Sequence, residues 1–206
     1  MKDARNLTDK FYKIIEHLKE TLDKKRFEHS IGVAYTAASL AMRYETDVDK
    51  AFCAGLLHDC AKGYSHKEQL ELSERYKVEL SEVERQNPSL IHAKLGVAIA
   101  KNVYDIHDTK ILDSISYHTT GRPGMTLLEQ IIFVADFIEP NRSILPHLNK
   151  IRTQAFTDIN LCICMISKSV YFFLKNRNRP IDPLTKETYT YYKMEFEGEK
   201  LWNQKI

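Results

Sequence analysis

Apolar residues recur at helical spacing along most of the chain. The first segment shows this pattern at Leu7, Phe11, Ile14, Ile15, Leu18 and Leu22, with lysine and glutamate between them. Such recurrence every three or four residues is typical of an amphipathic helix that buries one face. Residues 27–44 and 158–175 repeat the pattern, and no segment alternates at the period of two that a strand requires. The pattern therefore predicts an all-α fold.

Residues that favour helix ends bracket a third helix. An acidic start at Asp47 or Asp49 and a glycine stop at Gly63 enclose a strongly apolar run. His58 and Asp59 fall near the C-terminal end of this predicted helix. Neighbouring side chains on a helix point about 100° apart, so these two reach one centre only near a helix end or around two metal ions.

Three more helices are predicted between residues 88 and 140. Pro88 favours the start of the first and places His92 at about its first turn. Gly121 favours the end of the second, and Thr126 and Glu129 have capping-box spacing at the start of the third. Beyond residue 179, prolines interrupt the pattern, and the tyrosine-rich remainder is either a last helix or a loosely packed tail.

Composition limits the classes of function. The chain has 30 lysines and arginines against 28 aspartates and glutamates, so no overall basic field favours nucleic acid or a membrane surface. Four cysteines in 206 residues are too few for a disulfide scaffold. No segment has the length of a membrane span or the form of a signal peptide. We expect a soluble cytoplasmic protein of one domain, residues 1–206, in which the part after about residue 180 is a C-terminal extension.

Several histidines and aspartates occur among small or apolar neighbours, where an unpaired polar group is costly. Taken singly, each is ordinarily a surface residue, a satisfied core residue or a helix cap. Six such positions on five predicted helices are harder to explain separately: His29, His58, Asp59, His92, His118 and Asp136. A metal ion between helices would supply the pairing that all of them need.

The segments around these residues resemble a known family. "EHSIGVA", "AGLLHDCAKG", "HAKLGVAIA" and "YHTTGRPGMTLLEQIIFVADFIEPNR" are similar to the HD superfamily of metal-dependent phosphohydrolases. Within that superfamily they resemble the YqeK family of symmetrical bis(5′-nucleosyl)-tetraphosphatases, over about residues 10–175. The resemblance implies an HD-domain helical bundle with the metal site between helices.

The resemblance also implies a set of metal ligands. These are His29, His58, Asp59 and Asp136, and the metal it implies is iron. Nitrogen and oxygen ligands suit manganese, cobalt or zinc as well. His92 and His118 correspond to positions that either contact substrate phosphates or hold a second ion.

Further residues enter through the same resemblance. Lys62 and Arg142 correspond to basic positions beside the phosphates, and Thr119 lies in the turn after His118. The substrate-binding set is then Lys62, His92, His118, Thr119 and Arg142, and the catalytic set is Asp59, Lys62, His92 and His118. Without the resemblance, Lys62 would be read as a helix-end residue and Arg142 as a solvated loop residue.

The implied reaction is hydrolysis of diadenosine tetraphosphate and related dinucleoside tetraphosphates into two nucleoside diphosphates, by attack of metal-bound water. The alternatives are another HD phosphohydrolase, acting on a deoxynucleoside triphosphate, a monophosphate or an alarmone, and a nucleotide-binding regulator without turnover.

The aromatic residues Tyr171, Phe172 and Phe173 place apolar surface on more than one helix face. Together with the family, this favours a homodimer. No nucleic-acid or membrane partner is expected.

Overall fold

The computed structural model describes residues 4–86, 88–142 and 147–203. Every regular element in these ranges is helical, which confirms the predicted all-α fold. The helices are α1 (Ala4–Thr21), α2 (Lys24–Arg43), α3 (Val48–Leu57), α4 (His66–Arg75), α5 (Glu82–Gln86), α6 (Pro88–Asn102), α7 (Thr109–Tyr117), α8 (Leu127–Ile138), α9 (Leu148–Ala155), α10 (Ile159–Asn176) and α11 (Pro183–Asn203), with a short 3-10 helix at Cys60–Gly63.

Aspartate N-caps set several helix starts. The side chains of Asp23, Asp47, Asp108 and Asp158 accept hydrogen bonds from backbone N–H groups in the first turns of α2, α3, α7 and α10. A cap of this kind satisfies donors that the helix itself leaves unpaired and contributes about 1 kcal/mol. These caps fix where the helices that carry site residues begin.

Helix α8 lies at the centre of the bundle and contacts α2, α3, α7, α9 and α10. Its Ile131, Ile132, Val134 and Ala135 are completely buried. Helices α2 and α3 pack closely because Gly55 has no side chain: a Cβ there would lie 2.7 Å from the Cα of Ala34. This close packing brings the C-terminal end of α3 against the middle of α2.

The structure departs from the predicted helices in two respects and decides a third that the sequence left open. The third helix ends at Leu57 rather than at Gly63, because the chain turns at His58 and Asp59 into the 3-10 helix. The short helices α4, α5 and α9 were not predicted. Between the two alternatives for the C-terminal region, a last helix is present, and Thr188 and Tyr192 bury it against the rest of the bundle.

The four cysteines are buried thiols. In the part of the chain that the structure describes, no helix combines the length and the apolar character needed to cross a membrane.

Candidate metal centre

The end of α3 explains how adjacent residues point to one centre. His58 is the C-cap of α3 and keeps helical backbone angles, whereas Asp59 leaves them, with φ −110° and ψ 15°. This change re-aims the Asp59 side chain, so the 100° separation of helical neighbours no longer applies. The side chains of both residues are almost completely buried, at 0% and 2% exposure.

Four side chains, from α2, the end of α3 and α8, converge on one point. Nε2 of His29 lies 3.0 Å from Oδ1 of Asp136 and 3.3 Å from Nε2 of His58. Oδ2 of Asp59 lies 3.3 Å from Nε2 of His58 and 3.8 Å from Nε2 of His29. Nε2 of His58 lies 3.8 Å from Oδ1 of Asp136. The four residues that the sequence predicted as metal ligands therefore form one compact group of donor atoms.

The second oxygen of Asp59 faces a second group. Oδ1 of Asp59 lies 3.4 Å from Nε2 of His92 and 3.3 Å from Nε2 of His118. These two nitrogens are 3.1 Å apart. Asp59 thus joins the two groups through one carboxylate, and we call all six residues the Asp59 cluster.

Hydrogen bonds on the far side of three rings set which nitrogen faces the centre. Nδ1 of His58 lies 2.7 Å from the carbonyl oxygen of Gly55, and Nδ1 of His118 lies 2.7 Å from that of Ile115. Nδ1 of His29 lies 3.1 Å from Oε1 of Glu139. Each acceptor fixes the proton on Nδ1 and leaves the Nε2 lone pair directed at the centre, as ligating histidines require.

The donor set fits a metal ion. The Nε2 atoms of His29 and His58, which each present a lone pair, lie 3.3 Å apart, an arrangement that is repulsive unless a cation or proton lies between them. Oδ1 of Asp59 is buried and has no hydrogen-bond partner among the described residues. A buried anionic oxygen without a partner is strongly destabilising, and a cation removes that cost. Imidazole and carboxylate donors suit a first-row transition metal.

The charges of the cluster hold its carboxylates ionised. Burial by itself would raise the pKa of Asp59, but the neighbouring His58, His118 and Lys62 hold that pKa well below its usual range. The pKa of Asp136 is lowered in the same way, against burial, by His29, His58 and Arg142. Both side chains are therefore anionic ligands at neutral pH.

Burial has the opposite consequence for His92. Its removal from water, followed by the positive charge of Lys62, lowers the pKa of His92 well below the usual value. The ring is therefore neutral at neutral pH. Its Nε2 faces Asp59 and His118, and its Nδ1 is buried without a hydrogen-bond partner among the described residues.

The remaining predicted site residues lie around the cluster. Nζ of Lys62 is 2.8 Å from Oδ2 of Asp59, and Nη2 of Arg142 is 3.2 Å from Oδ1 of Asp136. The hydroxyl of Thr119 is 3.1 Å from Nε2 of His118. The structure therefore places every predicted site residue in one region.

Two cavities border different residues of the Asp59 cluster. One, of about 490 Å³, has His118 and Asp136 at its base. Apolar side chains form most of its wall: Phe133, Phe137, Ile166, Val170, Phe173 and Leu174. We call it the apolar cavity. It can accept a flat, largely apolar group next to the cluster.

The other cavity, of about 640 Å³, is lined by charged side chains and has His29 and Asp59 at its base. We call it the charged cleft. Its basic side chains are Lys25, Arg26, Lys62 and Arg142. Arg142 borders both cavities.

Two residues of the site were not predicted. Glu139 orients His29, and Arg26 lies in the charged cleft. Glu139 could have been found from its spacing, because it follows Asp136 by three residues at the end of α8. Arg26 has no comparable signal in the sequence, since an arginine in the first turn of a helix is ordinarily a solvated residue.

Comparisons with known proteins agree with this geometry. Residues 26–141 match the family model of the HD domain. A symmetrical bis(5′-nucleosyl)-tetraphosphatase of Bacillus subtilis (strain 168) is 40% identical over 174 residues, which cover 84% of this chain and 92% of the relative. A protein of the same name from Staphylococcus aureus (strain NCTC 8325 / PS 47) is 36% identical, and the match covers 84% of this chain and 90% of that relative.

A solved structure is also similar. It is a crystal structure from Clostridium acetobutylicum, described as a predicted HD superfamily hydrolase involved in NAD metabolism. The TM-score is 0.85 at 36% sequence identity, and the match covers 90% of this chain and 97% of that one. The likeness extends well beyond the segment that the family model matches.

Proposed function

Because the chain belongs to the HD-domain family and, within it, to the symmetrical bis(5′-nucleosyl)-tetraphosphatases, we propose that it is a metal-dependent hydrolase of dinucleoside tetraphosphates. Diadenosine tetraphosphate is the representative substrate, and two nucleoside diphosphates are the products. The observation that carries this proposal is the position of the Asp59 cluster at the apolar cavity and at the charged cleft, which both contain its residues.

The metal is assigned to His29, His58, Asp59 and Asp136. Iron is our first choice, one ion per chain, with a second at His92 and His118 as the alternative occupancy; manganese, cobalt and zinc suit the same ligands. When bound, such an ion supplies Lewis-acid stabilisation of a phosphoryl oxygen and makes nearby water more acidic. Elemental analysis of the purified protein tests the choice, and His58→Ala should lose the metal because it removes a ligand.

Basic side chains bind the phosphates. Lys62 acts as a point charge beside Asp59, and Arg142 can hold a phosphate through its two-pronged guanidinium group. The positions of the two side chains support these roles, since each lies within 3.2 Å of a cluster carboxylate. Thr119 lies next to His118, where its hydroxyl can donate to a phosphate oxygen.

The apolar cavity is proposed to hold the nucleoside. The aromatic side chains of Phe133, Phe137 and Phe173 line it, and aromatic rings of this kind can pack against a base. A nucleoside there places its phosphates toward Arg142 and the Asp59 cluster. The chain of phosphates then runs across the cluster into the charged cleft.

The bond that breaks is defined by this placement. Water attacks the phosphorus that adjoins the central bridging oxygen, and the bond between that phosphorus and the bridging oxygen breaks. The leaving nucleoside diphosphate departs as a stabilised anion, and the Nε2 lone pair of His118, with His92 beside it, can accept a hydrogen bond from the attacking water. One product therefore carries the oxygen of water and the other does not.

Product analysis tests the function. Incubation of the metal-loaded protein with diadenosine tetraphosphate should give two adenosine diphosphates, and reaction in oxygen-18 water should label only one of them. A monophosphate with a triphosphate would contradict the cleavage position. Turnover of a deoxynucleoside triphosphate, a monophosphate or an alarmone instead would identify another HD phosphohydrolase. Binding without any turnover would identify a regulator.

We also propose that the chain acts as a cytoplasmic homodimer of one domain, without a nucleic-acid or membrane partner. Phe172 and Phe173 on α10 are 40% and 50% exposed, which supports an apolar contact surface there. Light scattering at micromolar concentration tests the dimer. A monomer under these conditions would contradict it.

A further inference from the structure

The two cavities are chemically different, although the two halves of the proposed substrate are identical. The apolar cavity presents mainly aromatic and aliphatic side chains, whereas the charged cleft presents mainly lysines, arginines and acids. The Asp59 cluster contributes to the base of both. A linear substrate that is cut at its midpoint by this cluster has one half on each side. The two halves must therefore meet different surroundings.

The charged cleft is equipped for phosphate rather than for a base. It contains four basic side chains, Lys25, Arg26, Lys62 and Arg142. It also contains four acidic side chains, and each has a partner: Asp59 pairs with Lys62 and the cluster histidines, Glu139 with His29, Asp23 with Arg26, and Glu28 with Lys24 outside the cleft. None of its lining residues is aromatic except His29, so it offers little surface for stacking.

The two cavities together therefore provide a binding surface for one nucleoside rather than for two. We infer that the charged cleft binds the leaving half of the substrate through its phosphates, with Arg26 as the outer phosphate-binding residue. The inference rests on the proposed function and deepens it. The nucleoside of the leaving half is then dispensable.

Arg26 occupies the outer part of the cleft. Its guanidinium donates to the backbone carbonyl of Lys62, and its Nε lies 3.4 Å from Oδ2 of Asp23. Lys62 is the inner basic group, because its own Nζ reaches Asp59. The Arg26 side chain is 49% exposed, so a ligand that enters the cleft can reach it.

A defined substrate follows from this arrangement. Adenosine 5′-tetraphosphate has the same four phosphates and a single nucleoside. Water should attack its second phosphorus, the bond from that phosphorus to the next bridging oxygen should break, and adenosine diphosphate and pyrophosphate should form. Adenosine triphosphate has only one phosphate beyond its second phosphorus. That phosphate should contact Lys62 but should not extend as far as Arg26.

The test compares these three substrates in the metal-loaded protein. For the unaltered protein, kcat/KM for adenosine tetraphosphate should lie within about fivefold of that for diadenosine tetraphosphate, since the second nucleoside adds little binding that the transition state uses. Adenosine triphosphate should be poorer by on the order of tenfold, the equivalent of one lost phosphate contact.

Arg26→Ala then separates the substrates. It should lower kcat/KM for both tetraphosphates by about tenfold or more, the effect of losing one charge-assisted hydrogen bond, and change that for the triphosphate little. Arg26→Lys keeps the charge and should restore part of the loss. Lys24→Ala is the matched control, because it removes the same charge from the same turn of α2 and its side chain is 90% exposed outside the cleft.

A binding measurement gives a second readout. Calorimetry with adenosine diphosphate should detect two sites per chain, and Arg26→Ala should weaken one of them. Diadenosine tetraphosphate turnover without comparable adenosine tetraphosphate turnover would overturn the inference, because the second nucleoside would then be recognised. An equal loss for all three substrates in Arg26→Ala would also overturn it. Absence of diadenosine tetraphosphate turnover in the unaltered protein would instead refute the proposed function.

Discussion

Nδ1 of His29 lies 3.1 Å from Oε1 of the buried Glu139, which comes from a different element of the fold. His29 needs this partner from another element because of its position within α2. His58 and His118 follow helix ends, where each ring bonds a carbonyl of its own last turn. His29 stands inside a continuous helix, whose carbonyls are already paired, so its ring needs an acceptor from outside.

Glu139 is itself held in place. Its second oxygen accepts the backbone N–H of Asn141 at 2.7 Å, and its own carbonyl oxygen accepts from Arg152 at 2.8 Å. A fixed carboxylate behind a ligating histidine orients the ring and increases its basicity. Glu139→Ala should therefore lower metal affinity by about 10- to 100-fold, and Glu139→Gln should lower it less. Competition with a chelator measures this. An unchanged affinity in Glu139→Ala would exclude the role.

Gly32 provides an independent way to disturb the same contact. A Cβ at Gly32 would lie 2.5 Å from Oε2 of Glu139, so Gly32→Ala must displace that carboxylate. Alanine favours an internal helix position over glycine by about 1 kcal/mol, so the helix itself is not weakened. Metal affinity should fall while the melting temperature holds or rises. If metal affinity and melting temperature both fell, Gly32→Ala would have destabilised α2 as a whole.

The pH dependence of metal binding follows from His29. Burial opposes a charge on this ring, but the carboxylates of Asp136 and Glu139 outweigh it and raise the pKa of His29 in the metal-free protein. A proton on Nε2 excludes the metal, so affinity should fall as the pH falls through that raised pKa. Glu139→Gln removes a negative charge and lowers the pKa of His29. As the pH falls, His29 takes up a proton in the unaltered protein before it does so in Glu139→Gln. The metal affinity of the unaltered protein divided by that of Glu139→Gln should therefore be largest at high pH and decrease as the pH falls.

A helix was predictable from sequence where its apolar residues recurred at helical spacing over several turns and residues that favour helix ends bracketed the segment. Helices α2 and α8 combine such a period with recognisable ends. The short helices α4, α5 and α9 have too few turns for a period to appear. Burial of Thr188 and Tyr192 stabilises α11, and these are long-range contacts that local sequence does not reveal.

The six residues of the Asp59 cluster were predictable for a different reason. Each puts a polar side chain where its neighbours predict burial, and that conflict is visible in the sequence. Glu139, at the end of α8, and Arg26, in the first turn of α2, stand where charged residues are common, so neither shows such a conflict. For Glu139 the remaining signal is its spacing of three residues from Asp136. Their roles come from the approach of α2 to the turn after α8, and only the fold brings those segments together.

Lys62 and Arg142 provide a test of phosphate binding that is separate from metal binding. Nζ of Lys62 lies 2.8 Å from Oδ2 of Asp59, so Lys62→Met removes a positive charge that competes with the metal. Metal affinity should hold or rise. Turnover of diadenosine tetraphosphate should fall on the order of 10²-fold if the ammonium stabilises developing phosphoryl charge.

Arg142→Ala should likewise retain metal and lose turnover on the order of 10²-fold. Metal content by elemental analysis and steady-state kinetics on the same preparations separate the two properties. Loss of metal in both variants would show that these residues maintain the centre itself. Unchanged turnover would return them to the role of solvated surface residues.

The C-terminal helix is expected to support the turn that carries His118. The buried hydroxyl of Thr188 lies 3.0 Å from the carbonyl oxygen of Thr120 and 2.7 Å from that of Leu184, one turn earlier in α11. Gly121, next to Thr120, has a φ of +64° with no room for a Cβ against Thr188. Thr188→Val keeps the shape and removes the hydroxyl, which leaves the Thr120 carbonyl without this partner. The free energy of unfolding should fall by about 1–2 kcal/mol, and the melting temperature by about 2–6 °C.

Thr190→Val is the matched control for that substitution. Thr190 is exposed on the same helix, and its hydroxyl bonds only the carbonyl of Lys186, one turn earlier. In Thr190→Val, water can bond the Lys186 carbonyl in place of the missing hydroxyl, so this control should change the melting temperature little. If Thr188→Val acts through the turn, kcat for diadenosine tetraphosphate should fall several-fold at a temperature where both variants are folded, since a small displacement at His118 is costly. Equal kcat values for the two variants would show that α11 stabilises the fold without positioning the site.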